Sequence, residues 1–469
     1  MHRRQLRIYL SILVAFLLTA VAHAEVQLPA FVSDHMVLQR DVPLPIWGWA
    51  EAGTKVTVSV AGQSQSAMAD SSGRWQVELD ALAAGGPLRM TVTDGADQVT
   101  VEDVLVGDVW LCSGQSNMAM TVSRAANAEQ EIAAADFPQI RHFKTGAQAR
   151  ADAPQDRCTG TWSVCNPETV GAFTATGYFF GRHLHQELHV PIGLINSSWG
   201  GTCIEAWTPR EALETVEPGR DAIAQYQTAL EQYDPVAAKA QFEQAQKRRE
   251  QAVERMRAAR KAGKTPSRPP RQPQLQPSPS QNQNSPAALY NGMIQPLVPY
   301  AIRGAIWYQG ERNSRTVELA VAYRQLLPNL IRSWRSVWGQ GDFPFFFVQL
   351  PNFKNESWPA IRESFLKSLK TPNTGMAITI DVGDVKDIHP KNKQAVGRRL
   401  ALSALHVAYQ KDVAFSGPIY RAMQVDGNQV HLSFDCVFGG LEAKGAEVLK
   451  GFSIAGPDRQ FLPAQARIE

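Results

Sequence analysis

Residues 107–118 read Gly107-Asp-Val-Trp-Leu-Cys-Ser-Gly-Gln-Ser-Asn-Met118, and this stretch decides the fold. The apolar run from Val104 to Cys112, interrupted by Gly107 and Asp108, has the length and composition of a buried strand. It runs into a turn of small residues. That places Ser116 at the carboxyl end of a sheet, where open α/β folds gather their reactive groups. Gly114, two residues earlier, lets the backbone turn sharply and present a hydroxyl to a cleft. The arrangement suits a serine nucleophile. A serine in a tight turn also serves as a plain turn residue, so the assignment depends on what the rest of the chain supplies.

Upstream, residues 1–24 read as an export signal. Arg3, Arg4 and Arg7 make a basic start, Ile8 to Val21 is apolar but short for a membrane span, and Ala22-His-Ala24 is a small-x-small cleavage pattern. Arg3-Arg4 also matches a twin-arginine start, although the ordinary secretory reading is preferred. The mature chain is expected to begin near Glu25 and to be secreted or periplasmic. The remaining ~445 residues exceed one core and call for two or three domains. No later segment is long and apolar enough to span a bilayer, and a net charge of +3 gives no electrostatic reason to expect a nucleic-acid or membrane partner. Five cysteines cannot all pair. In an oxidising compartment Cys158 and Cys165 are the expected disulfide, closing a short loop. Cys112 and Cys203, beside two suspected site turns, either pair or stay as buried thiols, and their spacing resembles no zinc site.

Residues 25–103 alternate with period two, as in Lys55-Val-Thr-Val-Ser-Val60 and Leu88-Arg-Met-Thr-Val-Thr93, between Gly, Asp and Ser turns. That predicts a small β-sandwich. From 104 to 409 apolar strands (Ile192–Ile195, Ala301–Tyr308, Pro344–Leu350, Met376–Ile380) alternate with helical stretches (Ala172–Leu188, Ala320–Trp338, Lys393–Ala408). The fold class is therefore α/β, with a mostly parallel sheet covered on both faces. Within it, 231–286 reads as an insertion. A charged helix over 236–263 is followed by a Pro/Gln/Ser-rich stretch to about 286, expected to be an exposed, mobile connection. Residues 410–469 return to β alternation, clearest in Gln429–Phe434, and this unit is expected to be incomplete at Glu469.

Ser116 needs a base and the base an orienting acid. Of ten histidines, His183, His185 and His189 point in different directions at helical spacing, which argues against a metal site, and His35 falls in the sandwich. His389 stands apart in Asp381-Val-Gly-Asp-Val-Lys-Asp387-Ile-His389-Pro390, a carboxylate-rich loop between a strand and a helix. Asp387 is near enough in sequence to reach its imidazole; acidic residues before a helix also favour its dipole. Asn196-Ser-Ser-Trp-Gly-Gly-Thr202 follows a strand, and its glycines let backbone N–H groups approach a ligand as in an oxyanion hole. Trp307-Tyr-Gln-Gly-Glu-Arg-Asn313 ends another strand. There Gln309 or Asn313 can donate to an oxyanion, Glu311 can position substrate or histidine, and a buried polar network is the competing account. All four blocks fall at predicted strand ends of one sheet.

These blocks, together with Phe31-Val-Ser-Asp-His-Met-Val-Leu-Gln-Arg40, Leu289-Tyr-Asn-Gly-Met-Ile-Gln-Pro-Leu297 and Asp387-Ile-His-Pro-Lys-Asn-Lys393, resemble the sialate O-acetylesterase-like group of the SGNH hydrolase superfamily. The resemblance covers most of residues 25–469. It implies a flavodoxin-like three-layer α/β sandwich with flanking β-sandwich segments, and an esterase that removes acetyl groups from sugars without metal or organic cofactor. It further implies Ser116 as nucleophile and His389 as general base, with oxyanion donors from Ser116 N–H, Gly201 N–H and the Gln309 side chain. Members of the superfamily commonly place the acid three residues before the histidine, where this chain has Lys386. Asp387 is the nearest replacement, with Asp384 and Glu311 as substitutes. The expected substrate-binding residues are Gln115, Asn117, Trp199, Glu311 and Arg312. A sialate ester would use Arg312 for its carboxylate, whereas acetylated xylan or xyloglucan would want tryptophan platforms such as Trp199 and Trp307. A non-catalytic glycan-binding protein is the reading from another class, disfavoured because both serine and histidine are present. An α/β-hydrolase fits poorly, because Met118 stands where its elbow needs a second glycine.

Overall fold

A computed structural model describes residues 26–263, 271–443, 445 and 449–469. The expected export signal lies outside these residues. Strands β1 (Val37–Gln39), β2 (Leu44–Trp49), β3 (Lys55–Val60), β4 (Gln63–Met68), β5 (Arg74–Leu79) and β6 (Gly85–Thr93) build the N-terminal β unit. Pairings β3–β4 and β3–β6 are antiparallel, and β2–β5 forms a separate two-stranded sheet. The period-two pattern is the cause of this packing: in β3 and β5 every second side chain is buried, Val56, Val58 and Val60 from one, Trp75, Val77 and Leu79 from the other.

Strand β7 (Gln98–Gly114) is one continuous strand of 17 residues. Its first half pairs antiparallel with β6, and its second half is the parallel centre of the large sheet. Residue 104, where the composition changes, thus lies inside a strand shared by both units. The interruption seen at Gly107-Asp108 is accommodated rather than broken. A Cβ at Gly107 would meet Pro191 O at 2.0 Å, and the Asp108 carboxylate is held by Arg40 Nε (2.9 Å) and the Tyr409 hydroxyl (2.8 Å).

The remaining sheet strands are β8 (Phe137–Lys144), β9 (Trp162–Cys165), β10 (Ile192–Ser198), β11 (Gly304–Tyr308), β12 (Phe345–Val348) and β13 (Thr374–Ala377), in the order β13-β12-β11-β7-β10-β8-β9. Along this order, among the described residues, only the edge strand β9 is antiparallel to its neighbour. Counting β7, β10, β11, β12 and β13 in chain order, their spatial sequence is 2-1-3-4-5, the flavodoxin-like order.

The helices are α1 (Ser116–Ala119), α2 (Ala128–Ala133), α3 (Ala175–Leu188), α4 (Arg210–Leu213), α5 (Glu217–Glu231), α6 (Pro235–Lys261), α7 (Val317–Trp338), α8 (Trp358–Ser368) and α9 (Lys393–Val407). Three consecutive phenylalanines in β12 show how they flank the sheet. Phe345 meets Trp334 of α7 and Phe347 meets Phe365 of α8, each with rings 5.8 Å apart. Phe346 points the other way, to Trp110, which in turn packs on Phe180 of α3. A fully apolar strand is what a sheet buried on both faces requires. Among the described residues, no helix is long and apolar enough to cross a membrane.

Two expectations are corrected here. The stretch ending near 286 is not wholly an exposed connection: Ser285 is buried, its hydroxyl donates to Pro279 O at 2.6 Å, and Gln283 Nε2 donates to Gly200 O at 3.2 Å. Cys158 and Cys165 are free thiols, as are Cys112, Cys203 and Cys436. Extended strand β9 carries Cys165 away from Cys158 at ~3.3 Å per residue, and a disulfide needs Cα atoms within about 7 Å. Beyond residue 410 the chain forms two hairpins, β14 (Ile419–Asp426) with β15 (Gln429–Asp435) and β16 (Ser453–Ile454) with β17 (Leu462–Pro463).

Candidate active site

The sheet register brings the sequence blocks level. Gly114 of β7 is paired with Ser198 of β10 on one side and Tyr308 of β11 on the other, so the loops after all three strands leave the sheet together. Gly114 has φ +132, and a Cβ on it would lie 2.2 Å from Tyr308 O. Only glycine permits this approach. Gln115 N–H then donates to Tyr308 O (2.9 Å) and α1 begins at Ser116. Met118 is fully buried, and its carbonyl accepts from the Thr174 hydroxyl at 2.5 Å, which fixes the turn from below.

His389 comes from the loop between β13 and α9, and its Nε2 lies 2.8 Å from Ser116 Oγ. Asp387 folds back on the same loop. Its Oδ1 accepts the His389 backbone N–H at 2.9 Å and stands 3.4 Å from His389 Nδ1. A proton on Nδ1 facing this carboxylate leaves Nε2 free to accept from the serine hydroxyl. Burial pushes the imidazole below its ordinary pKa; Asp387 opposes that shift, and Lys393 and Arg124 reinforce it. Of the three candidate acids, Asp387 alone is at the histidine. Asp384 closes the turn, its carboxylate accepting Lys386 N–H at 2.8 Å, while Glu311 bonds to Asn117.

Beneath these two residues lies a buried polar floor. Asn117 is fully buried; its amide donates to Glu311 Oε1 and to Ile388 O (2.9 Å), and its oxygen accepts from Lys393 Nζ (2.5 Å). The neighbour of Ser116 is therefore bonded directly to the neighbour of His389. Lys393 is also fully buried, its pKa pushed down to about 7 by burial, against the pull of Glu311 and Asp387. Burial pushes the Glu311 carboxyl up, and its Oε2 has no partner among the described residues. The motif Asp387–Lys393 does not by itself reveal this place for its lysine. One signal was available: a lysine in the first turn of α9, where the helix dipole disfavours a cation.

Several expected substrate contacts are corrected by this floor. Asn117 has no exposed surface, and both polar atoms of its side chain are engaged within the protein. Gln115 is buried with its Oε1 accepting Arg312 N–H at 3.4 Å, but its side-chain nitrogen makes no hydrogen bond among the described residues, so its expected role is not corrected. Gln309, expected as an oxyanion donor, is engaged within the protein in this structure. Its amide hydrogens go to Thr202 O (3.0 Å) and Asn313 Oδ1 (2.8 Å), and its oxygen accepts from the Tyr323 hydroxyl (2.7 Å). Asn313, the alternative donor, is spent on the Glu205 carboxylate. Trp307 is fully buried, donating from Nε1 to the Tyr323 hydroxyl at 3.0 Å, so it offers no sugar platform. Trp199, Glu311 and Arg312 keep partial exposure.

In the Trp-Gly-Gly loop, Gly200 packs against Ser116: a Cβ there would lie 3.3 Å from Ser116 Cβ. Gly201 is exposed and left-handed at φ +73, with open space around it. Sequence reasoning selected the second glycine; the first is the one against the serine. Among the described residues, the N–H groups of Ser116, Gly200 and Gly201 donate to no protein acceptor. Of the three, those of Ser116 and Gly200 are at the serine. Among the described residues, no three His, Cys, Asp or Glu side chains are arranged to hold a metal ion.

A family profile described as carbohydrate esterase, sialic acid-specific acetylesterase matches residues 106–256 and 280–406. The chain is 32% identical over 450 residues to the sialate O-acetylesterase of Mus musculus, covering 87% of this chain and 78% of that protein. It is 30% identical over 434 residues to the human sialate O-acetylesterase, covering 83% and 72% respectively. The crystal structure of a carbohydrate acetylesterase from Xanthomonas citri is similar with a TM-score of 0.76 at 37% identity, covering 95% of this chain and 89% of that one.

Proposed function

This chain belongs to the sialic acid-specific acetylesterase family of carbohydrate esterases and is a carbohydrate O-acetylesterase; we propose that it cleaves its ester through a covalent acetyl group on Ser116. The observation that carries this reading is the 2.8 Å contact between Ser116 Oγ and His389 Nε2, made by residues 273 positions apart. Ser116 Oγ attacks the acetyl carbonyl carbon while its proton passes to Nε2 of His389. The tetrahedral oxyanion is met by Ser116 N–H and by the N–H groups of the Gly200-Gly201 turn, each worth on the order of 10²–10³ in rate. As the intermediate collapses, His389 returns the proton to the departing sugar oxygen, leaving acetyl-Ser116. A water, deprotonated by the same imidazole, then releases acetate. Asp387 orients His389 and stabilises its charged form.

For the substrate, the free guanidinium of Arg312 supports an acetylated sialate, whose carboxylate it would pair. Among the described residues that group makes no hydrogen bond or ion pair. With Trp307 buried, the hemicellulose reading keeps only Trp199 as a platform. The basic, apolar and small-residue pattern of residues 1–24 supports action outside the cytoplasm, secreted or periplasmic.

Hydrolysis of 4-nitrophenyl acetate and of the butyrate ester by wild type and Ser116→Ala tests the mechanism. Acetate-selective turnover that falls by up to about 10⁶-fold in kcat is expected, the loss seen when a serine hydrolase loses its nucleophile. Unchanged turnover in the variant would refute it.

A further inference from the structure

Beside the Ser116 site, and lined by neither Ser116 nor His389, lies an open cleft of ≈ 640 Å³. That volume is within the roughly 300–1,000 Å³ of ligand-sized clefts. One wall belongs to the loops that frame the serine. Cys203 and Glu205 follow the Gly200-Gly201 turn, and Arg312 follows Glu311, with its N–H on Gln115. The other wall comes from the insertion, helices α5 and α6 and the return at 276–286.

The composition of that second wall is selective. On α5 and just past it, Ala222, Gln225, Tyr226, Ala229, Gln232 and Tyr233 recur at three- and four-residue spacing on one face. Small alanines leave space between long polar side chains. Helix α6 adds Ala237, Ala238 and Gln241. Within the stretch of α6 that reaches the cleft, 237–241, the one charged residue is Lys239, and it does not line the cleft. An ordinary solvated helix face would mix its amides and charges. Here the cleft face is uncharged apart from Asp234, which caps α6 by accepting Val236 N–H. Opposite stand Arg312 and Arg315, whose guanidinium groups have no partner among the described residues. The side-chain amides of Gln225, Gln232 and Gln241 likewise make no hydrogen bond there.

We propose that this cleft is a subsite for the sugar residues beyond the acetylated one, so that the enzyme takes acetylated oligosaccharides in preference to monosaccharides. The inference rests on the carbohydrate-esterase reading above. Amides offer a donor and an acceptor in one plane, which matches paired sugar hydroxyls, and tyrosine rings offer a flat face with a polar tip.

The test uses the full chain and the triple variant Gln225→Ala/Gln232→Ala/Gln241→Ala, with Arg315→Ala made separately. Each is assayed on 4-nitrophenyl acetate and on a panel of acetylated xylo-, xyloglucan- and sialyl-oligosaccharides beside the acetylated monosaccharides. In the triple variant kcat/KM on the preferred oligosaccharide should fall about tenfold or more, mainly through KM, as three hydrogen bonds are lost. Turnover of 4-nitrophenyl acetate should stay within about twofold, since uniform binding is what is removed. Arg315→Ala should show the same split to a smaller degree. Equal losses on both kinds of substrate, or no loss on any oligosaccharide, would overturn the subsite. So would wild-type rates that do not rise from monosaccharide to oligosaccharide across the whole panel. Absence of acetylesterase turnover on every substrate, 4-nitrophenyl acetate included, would instead reject the esterase mechanism, and the cleft assignment with it.

Discussion

The floor and the rim of the Ser116 site are built on opposite principles. Below, Asn117, Gln309 and Asn313 have their polar side-chain atoms engaged, and Lys393 sits without any exposed surface. Above, the Asp387 side chain is 53% exposed and His389 32% exposed, and the N–H groups of Ser116 and the glycine turn are unspent. A saturated group can hold geometry but has nothing left for a ligand; an unspent one can bind but must be positioned by something else. The Asn117–Ile388 bond is where the floor does that positioning, one residue from the serine and one from the histidine.

If the floor is scaffold, breaking it should cost stability first. Lys393→Met removes the donor to Asn117 Oδ1 and the buried cation that favours a charged Glu311, and a buried polar group left unpaired costs roughly 1–3 kcal/mol. Denaturant unfolding should show that loss, and Lys393→Met/Glu311→Gln should recover part of it because both charges are gone. No recovery in the double variant would mean that the two residues are not coupled. Breaking the rim should leave stability alone and lower the rate. Asp387→Asn is expected to reduce kcat by about 10²-fold, less than the ~10⁴ of a buried triad acid, because this carboxylate is half in water and 3.4 Å from Nδ1.

The same variant sharpens the comparison through pH. The base must be neutral, and burial holds the His389 pKa below 6.5, so wild-type kcat/KM should stay flat through neutrality and fall only below that value. Asp387 raises the imidazole pKa, so removing its charge should move the acid limb further down. A limb that moves up would contradict the assignment. The smallest effect belongs to the aromatic rim. Trp199→Ala should raise KM on a glycan ester by about tenfold at most, the ~0.5–1.5 kcal/mol of a contact on an aromatic face, with little change on 4-nitrophenyl acetate.

The fold was legible because its signals are local. Period-two runs at 55–60 and 88–93 and the all-apolar Phe345–Phe347 each reveal which faces are buried, and the strand-end positions of the four blocks follow. What the sequence could not show was which polar residues of those blocks are spent. Gln309 and Asn117 have the chemistry of binding residues; only tertiary packing puts Thr202 O, Asn313 and Tyr323 around one, and Glu311, Ile388 O and Lys393 around the other. The choice between Gly200 and Gly201 turns on a backbone path that no periodicity encodes. The expected disulfide failed for a related reason, since loop spacing says nothing of the direction of β9.

In the proposed mechanism Ser116 carries the acetyl group and His389 places it there. Acid quenching during turnover of saturating 4-nitrophenyl acetate, followed by peptide mapping by mass spectrometry, reads this directly. An acetyl group on Ser116 in wild type, lost in His389→Ala, is the predicted result. An acetyl group on another side chain in its place, or turnover that persists in Ser116→Ala, would contradict it.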